Sequence, residues 1–487
     1  MQNLKKSFFY FLLFNLIVWS VVPLLRQSLP MDTQEALIWG REYFLGTPKH
    51  PPFSGWLAWP FYVVFFRFDG AMYLLSQICV ALGVVYIYRL AKMFVGEQKA
   101  VLAAMLQFGI IFYDFSSVEY NVNVVSLSLW PMCAYYFWAA LQNNKWADWL
   151  LFGLCAGLNL LNKYTGGVLL LALVLYVLCE KSARKILLNP KAYVAALFAF
   201  WLVLPHIYWL FETDFVSLDY VFGRGSGGKF AGTILGHIIY PLKFVGAQIL
   251  FTAAAWLTYL SFYKTKAKQQ TKKNPAQSKF LLIVGFVPLA VFVLIGIING
   301  AALKSMWGFP LWFLLGTMLV YFLPFKITPQ NEKKLFLICA GWSMLFALVY
   351  AIQCSVTTSQ RFQQDNEKTV NYVLEKWREK VGSDEPSYVA ADVWYADMFA
   401  LKGKNIKPFY WFDEKKNPKI AIEDIYNKPL LVVANDEYEY NTYAQKSGGK
   451  LSAPQKMTVE ISNYFGKVKQ KELLYGFYNL KGSKNEK

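Results

Sequence analysis

A chain of 487 residues that is 56% hydrophobic, 18% aromatic and 16% charged is not an ordinary soluble domain, where about a quarter of residues are charged. The net charge of +18 lies in short loops between apolar runs, with no basic stripe carrying a nucleic-acid motif. That excludes a DNA- or RNA-binding protein and points to a polytopic protein in contact with anionic membrane lipids.

The first apolar run, Phe8 to Leu25, can cross a bilayer. It lacks a small-residue cleavage site and is expected to stay as the first span. Further spans are expected at 70–89, 100–113, 124–142, 147–161, 166–179, 192–209, 234–262, 280–298, 306–324 and 335–353, which makes about 11. The runs 100–113 and 147–161 are short, and 234–262 is long and holds Pro241, as if an interfacial piece preceded a span. Pro52 to Phe66 carries Trp56, Trp59 and Tyr62 and is expected to lie at headgroup level. With the N-terminus inside, inner loops hold 19 Lys and Arg and outer loops 9. This bias puts the N-terminus in the cytoplasm, and an odd span count puts everything after the last span outside.

Between the first two spans lies MDTQEALIWGREYFLGTPKHPPFSGW, Met31 to Trp56. Asp32 and Glu35 are three residues apart and share a face if the segment is helical. They fit a pair of reactive carboxylates where the chain leaves the membrane, and equally a capping box with Asp32 at the N-cap and Glu35 at N3. Arg41 follows, then Lys49 and His50 at a turn marked by Pro48, Pro51 and Pro52.

The remaining outer loops are polar in a selective way. YDFSSVEYNVN holds Asp114, Glu119, Asn121 and Asn123, and either acid fits a second carboxylate site. Lys163 stands alone in LNKYTG, a cation outside against the charge bias. In HIYWLFETDFVSLDYVFGRGSGGKF, Gly223, Gly225, Gly227 and Gly228 surround Arg224 and precede Lys229, which suits a lid or a weak phosphate cradle. His206 and His237 fit metal ligation less well than satisfied interfacial packing, and Lys304 is a further outer cation. The six cysteines fall within or beside apolar runs without metal-ligand spacing and are expected to pack. Acids that accept a proton from a hydroxyl, beside cations that hold a departing phosphate, suit transfer from a phosphate-linked donor.

From Ser355 the composition changes, and 21 of the 49 basic residues lie in 355–487 without a spanning run. A helix is expected at Asp365–Lys380, strands at Ser387–Ala391, Pro429–Ala434 and Leu473–Leu480, and a helix at Asp392–Leu401. This divides the chain into a transmembrane domain, 1–354, and a small soluble α/β domain, 355–487.

The motifs MDTQEALIWGREYFLGTPKHPPFSGWL, VEYNVNVVSLSLWP, GLNLLNKYTGGVLLL, PHIYWLFETDF and KSMWGFPLWFLLG occur in this order up to about residue 325. Together they resemble the C-type glycosyltransferases of family 39, which include the bacterial aminoarabinose and galacturonic acid transferases of lipid A and the protein O-mannosyltransferases. The resemblance implies a polytopic helical transferase of the bacterial inner membrane. Its donor would be a polyprenyl-phosphate sugar, transferred with inversion on the periplasmic face. It gives Asp32 the base role, with Glu35 and Glu119 as accompanying acids. Well-known members carry Asp-Glu as neighbours in the first loop, whereas Thr33 and Gln34 separate the two acids here. Arg41, Lys49, His50, Asn121, Lys163, His206, Arg224 and Lys304 are then expected at the substrates. His50-Pro51-Pro52 resembles the lipopolysaccharide-directed branch, so a lipid A or core glycan acceptor is expected. The soluble domain is similar to the periplasmic domain of some members.

Three other classes compete. A polysaccharide polymerase or ligase would carry its large outer loop late in the chain, and a protein O-glycosyltransferase shares the family. A secondary transporter would place charges within its spans and break helices in two matched halves, and neither is present. No cofactor is called for by pattern, and a divalent cation at the phosphate is the one addition the chemistry leaves open.

Overall fold

The computed structural model describes residues 2–224, 227–263, 273–324, 329–359, 363–382, 385–413, 417, 420, 425, 427–448 and 450–478. In chain order its helices are α1 Gln2–Val21, α2 Met31–Glu42, α3 Phe53–Val64, α4 Gly70–Val95, α5 Glu97–Met105, α6 Val122–Asn143, α7 Trp146–Asn162, α8 Gly166–Cys179, α9 Pro190–Glu212 and α10 Val216–Gly223. They continue with α11 Ile234–Phe251, α12 Ala253–Leu260, α13 Pro275–Asn299, α14 Leu315–Phe322, α15 Pro329–Val356, α16 Asn366–Val381, α17 Val393–Lys402 and α18 Glu437–Lys446. Five strands follow the last span: β1 Tyr388–Ala391, β2 Lys407–Tyr410, β3 Leu430–Ala434, β4 Gln455–Ser462 and β5 Val468–Tyr478.

Among the described residues, seven helices are long and apolar enough to cross a bilayer: α1, α4, α6, α9, α11, α13 and α15. Two bent pairs add up to two more crossings, α5 with the 3-10 turns that follow it (87°) and residues 305–312 with α14 (50°). These pairs cover the runs expected at 100–113 and 306–324. The first breaks at Gly109, where a Cβ would lie 2.4 Å from the Ala255 nitrogen, so the chain turns where another backbone presses on it. One expectation is corrected: α11 runs through Pro241 to Phe251, and its interruption falls at Thr252. Proline inside a membrane helix is tolerated when neighbouring groups take up the freed carbonyl.

The chain packs as two units, one made of 1–22, 45–54 and 72–350 and the other of 23–44, 55–71 and 351–487. In the first, α4 and α6 form the centre, with 72% and 78% of their spanning windows buried, against 28–33% for the other five long helices. Small residues allow that approach: a Cβ on Gly83 would meet the Leu127 carbonyl at 2.2 Å.

The second unit is built on a mixed sheet in the order β2-β1-β3-β5-β4. β1 pairs in parallel with β2 and β3, whereas β5 runs antiparallel to β3 and β4. Apolar clusters cover both faces, one around Trp377, Phe399 and Phe477 and one around Phe409, Tyr443 and Tyr478. The expected helices and strands fall on α16, α17, β1, β3 and the end of β5; Asn479 and Leu480 lie outside the described residues. Two strands were not anticipated. β2 contains Pro408 and is an edge strand, which is where proline is admitted. β4 buries Met457, Val459 and Ile461 in strict alternation.

Candidate active site

The residues expected at the site divide between the two units. In the sheet unit, α2 begins after Pro30, whose fixed φ of −54° holds the N-cap in extended backbone. Asp32 therefore sits inside the first turn and not at the cap, a position taken by Pro30. The capping-box expectation is overturned, although an acid in the first turn still favours the helix dipole. Asp32 is partly exposed, whereas Glu35 is buried. Its charge acts on Tyr410, which donates to the buried Asp397 at 2.6 Å. Burial and the Asp397 carboxylate push the Tyr410 and Tyr43 hydroxyls well above the ordinary tyrosine range.

Arg41 fastens the same helix. Its guanidinium donates to the carbonyls of Ala400 (2.7 Å) and Ile406 (2.8 Å) and pairs with Glu42 (2.6 Å). Five donors in a planar fork suit this task better than an ammonium would. Gly40 is required beside it, because a Cβ there would stand 2.2 Å from the Gly55 carbonyl of α3.

In the membrane unit, several motifs meet through hydrogen bonds. Thr47 shapes the KHPP turn: its hydroxyl donates to the His50 carbonyl (2.9 Å) and accepts from the Lys49 (3.2 Å) and His50 (2.9 Å) amides. The Tyr120 hydroxyl donates to the Ser54 carbonyl at 2.8 Å, joining the Glu119 segment to this loop. Lys163, at the C-cap of α7 and 9% exposed, donates to Asn123 Oδ1 at 2.6 Å. Neighbouring Asn162 donates to the Val122 carbonyl (2.8 Å) and Ser126 (3.0 Å), which locks the turn against α6.

A second chain of bonds runs from α10 to the first loop. Ser217 meets the Tyr164 hydroxyl at 2.5 Å, Tyr164 meets His206 Nε2 at 3.0 Å, and His206 Nδ1 meets the Leu45 carbonyl at 2.8 Å. A carbonyl only accepts, so Nδ1 carries the proton and Nε2 accepts from Tyr164. His206 is thus a buried strut holding Leu45, stacked at 5.6 Å on Trp209.

The cations gather around Tyr220. The Lys49 ammonium lies 5.8 Å from its ring centre and the Arg224 guanidinium 5.3 Å, with Arg224 also donating to its hydroxyl. The His50 ring meets it edge-on at 5.9 Å. Desolvation, then the charges of Lys163, Lys49 and Arg224, hold the His50 imidazole well below its ordinary pKa. Three cations thus act on a neutral imidazole and make the local potential positive.

Other expected residues have different places. Asp114 is buried within the bent span, where Trp19 Nε1 donates to it at 2.9 Å and to Ser343 at 3.2 Å. Ser343 donates in turn to Asn15, so this acid braces α1 against α15, and Glu119, partly exposed, is the acid left in the loop. Asn121 caps α6, accepting from the Asn123 and Val124 amides. Lys304 precedes the 305–312 turn, whose Ser305 carbonyl accepts from Gln248 at 3.0 Å. His237 contacts the Ile297 carbonyl at 2.6 Å. Of the glycine-rich loop, Gly223 closes α10 and Gly225 lies outside the described residues. Sequence reasoning missed Asn123, Tyr164, Ser217 and Tyr220 as members of this group, although the first two sit within its motifs. Among the described residues no group of three or more His, Cys, Asp or Glu side chains is placed to hold a metal ion.

The group lies largely within residues 49–209, which match the family described as dolichyl-phosphate-mannose-protein mannosyltransferase. Two relatives come from Rhizobium johnstonii. The lipopolysaccharide core galacturonosyltransferase RgtA is 24% identical over 51% of this chain and 50% of its own length, and RgtB is 23% identical over 59% of each. The chain thus matches about half to three-fifths of the length of these curated relatives. Among solved structures, ArnT from Cupriavidus metallidurans bound to undecaprenyl phosphate superimposes with a TM-score of 0.65 at 11% identity, covering 97% of this chain and 98% of that one. Its apo form gives the same TM-score and identity over 99% of both chains. The chain therefore has the fold of ArnT, and its residues 49–209 match the model of the dolichyl-phosphate-mannose-protein mannosyltransferase family.

Proposed function

We propose that the chain is an inverting glycosyltransferase of the bacterial inner membrane. It moves a sugar from a polyprenyl-phosphate donor to a lipid A or lipopolysaccharide acceptor on the periplasmic face. The observation that carries this reading is the meeting of Lys49, Lys163 and Arg224 around His50 and Tyr220, on a frame of buried hydrogen bonds. Cations set at fixed positions beside a departing phosphate stabilise its developing charge without reorganising during the reaction.

In the transfer, an acceptor oxygen forms a bond to the anomeric carbon as the bond from that carbon to the phosphate oxygen breaks. The acceptor proton passes to a carboxylate, and polyprenyl phosphate leaves. The base role of Asp32 rests on the family resemblance and on its partial exposure, with Glu119 as the second acid; Glu35 is buried beside Tyr410 and suits a supporting role. The lipopolysaccharide acceptor is supported by the His50-Pro51-Pro52 turn and by the names of the two relatives. The loop charges support a cytoplasmic N-terminus and a periplasmic sheet domain.

Mass spectrometry of lipid A and core from a deletion strain tests the reading. The expected result is the loss of one sugar, restored by the intact gene. Unchanged lipid A and core would refute the lipopolysaccharide acceptor.

A further inference from the structure

We propose that the sheet unit carries, apart from the cations around Tyr220, a binding basin for clustered phosphate esters. A cavity of about 760 Å³ opens beside the ends at which β1, β2 and β3 begin. Its lining holds Arg378 from α16, Lys402 at the end of α17, Lys404, Lys407 at the start of β2, and Lys428 ahead of β3. Glu385 is the one carboxylate among the described lining residues.

This segregation does not follow from the composition of the unit. Residues 355–487 hold 21 Lys and Arg against 18 Asp and Glu, close to balance, yet the described lining residues of the basin include five cations and one acid. That acid is turned to the backbone, accepting from the Lys404 amide at 2.9 Å and the Asn405 amide at 3.2 Å. It shapes the turn that presents Lys404 and Lys407. Lys402 makes a long pair with Asp69, at 3.4 Å.

The ligand class follows from number, spacing and residue type. The volume lies in the range of ligand pockets, roughly 300–1,000 Å³. Four lysines act as separate point charges, without the paired forks that a planar carboxylate would favour. Cations spread over several elements match several phosphates on a sugar-sized core better than one small anion. Two sources carry that chemistry, the headgroup of a phosphorylated glycolipid and the phospholipids of an anionic membrane surface. The basin does not rest on the proposed transfer reaction; naming the acceptor as its occupant does.

The test is binding, which needs no turnover and so fails or succeeds separately from the transferase reading. The full-length protein in zwitterionic nanodiscs is titrated with a soluble glucosamine disaccharide bisphosphate and with the same disaccharide lacking phosphate. The bisphosphate should bind at least tenfold tighter. Lys404→Glu/Lys407→Glu should remove at least tenfold of that affinity with an unchanged melting temperature. Repeating the titration in discs containing an anionic phospholipid separates the sources. Undiminished affinity there supports the glycolipid headgroup, and a tenfold drop seen in the wild type only supports phospholipid as occupant. Should the charge reversal fail to fold, Lys404→Gln/Lys407→Gln carries the same comparison. Equal affinity for the two disaccharides, or no change in the folded variants, overturns the proposal.

Discussion

The cations of the membrane unit and those of the sheet unit present the same charge in two settings. Lys163 is buried and fixed at 2.6 Å on Asn123, and Lys49 and Arg224 flank one aromatic ring. Arg378, Lys402, Lys404, Lys407 and Lys428 stand exposed around an open cavity. Buried charges give orientation at a reacting centre, while exposed ones give capture that salt screens over about 10 Å at 0.1 M. This is the basis for proposing chemistry at the first group and recognition at the second.

The largest expected effect sharpens the chemical side. Asp32→Asn should lower transfer by about 10²–10⁴-fold in membranes matched for expression, because general base assistance is of that size. Asp32 lies in the first turn and not at the N-cap, and Asn caps as well as Asp, so loss of capping does not account for such a fall. Activity within about threefold of wild type would remove the base role.

Lys163→Ala comes next. A charge-assisted contact of about 1.5–3 kcal/mol corresponds to roughly a ten- to hundredfold loss in use of the donor. Asn123→Ala tests whether the fixed position matters, since it keeps the charge and removes only its anchor. The bond it removes has a charged donor and is worth about 1.5–3 kcal/mol, but the charge stays, so a measurable loss smaller than that of Lys163→Ala is expected, read as donor KM and kcat. No change would make the membrane cluster as adaptable as the basin.

The smallest effect is on stability against pH. The folded His50 pKa is held down, so the unfolded chain binds this proton more readily, and stability rises with pH. The gain is complete above the unfolded value of about 6.5 and is lost as pH falls from there toward the depressed folded value. Wild type should therefore lose more melting temperature between pH 7 and 5 than His50→Gln does. Equal losses would mean that burial and the nearby cations do not hold this ring's pKa down.

Much of this was legible because apolar runs and outer charges are local signals. The long spans, β1, β3 and α17 follow from them, and Lys49, Lys163 and Arg224, singled out as outer cations, all act on His50. What the sequence hid depends on distance. Arg41 looked like a substrate ligand, but its donors go to Ala400 and Ile406, some 360 residues away. Tyr220 carried no signal among so many aromatics, and His206 gave no hint of which carbonyl it would hold. The start of α2 was misread although Pro30 marks it, since Asp32 and Glu35 imitate a cap at the right spacing.

The most direct measurement is a double dissociation on the purified full-length protein, titrated with polyprenyl phosphate. Lys163→Ala and Arg224→Ala should each weaken binding by roughly tenfold or more, whereas Lys404→Glu/Lys407→Glu should leave it unchanged. Polyprenyl phosphate that binds Lys163→Ala and Arg224→Ala as tightly as wild type would contradict the account, because the donor phosphate would then have no seat in the cluster around Tyr220.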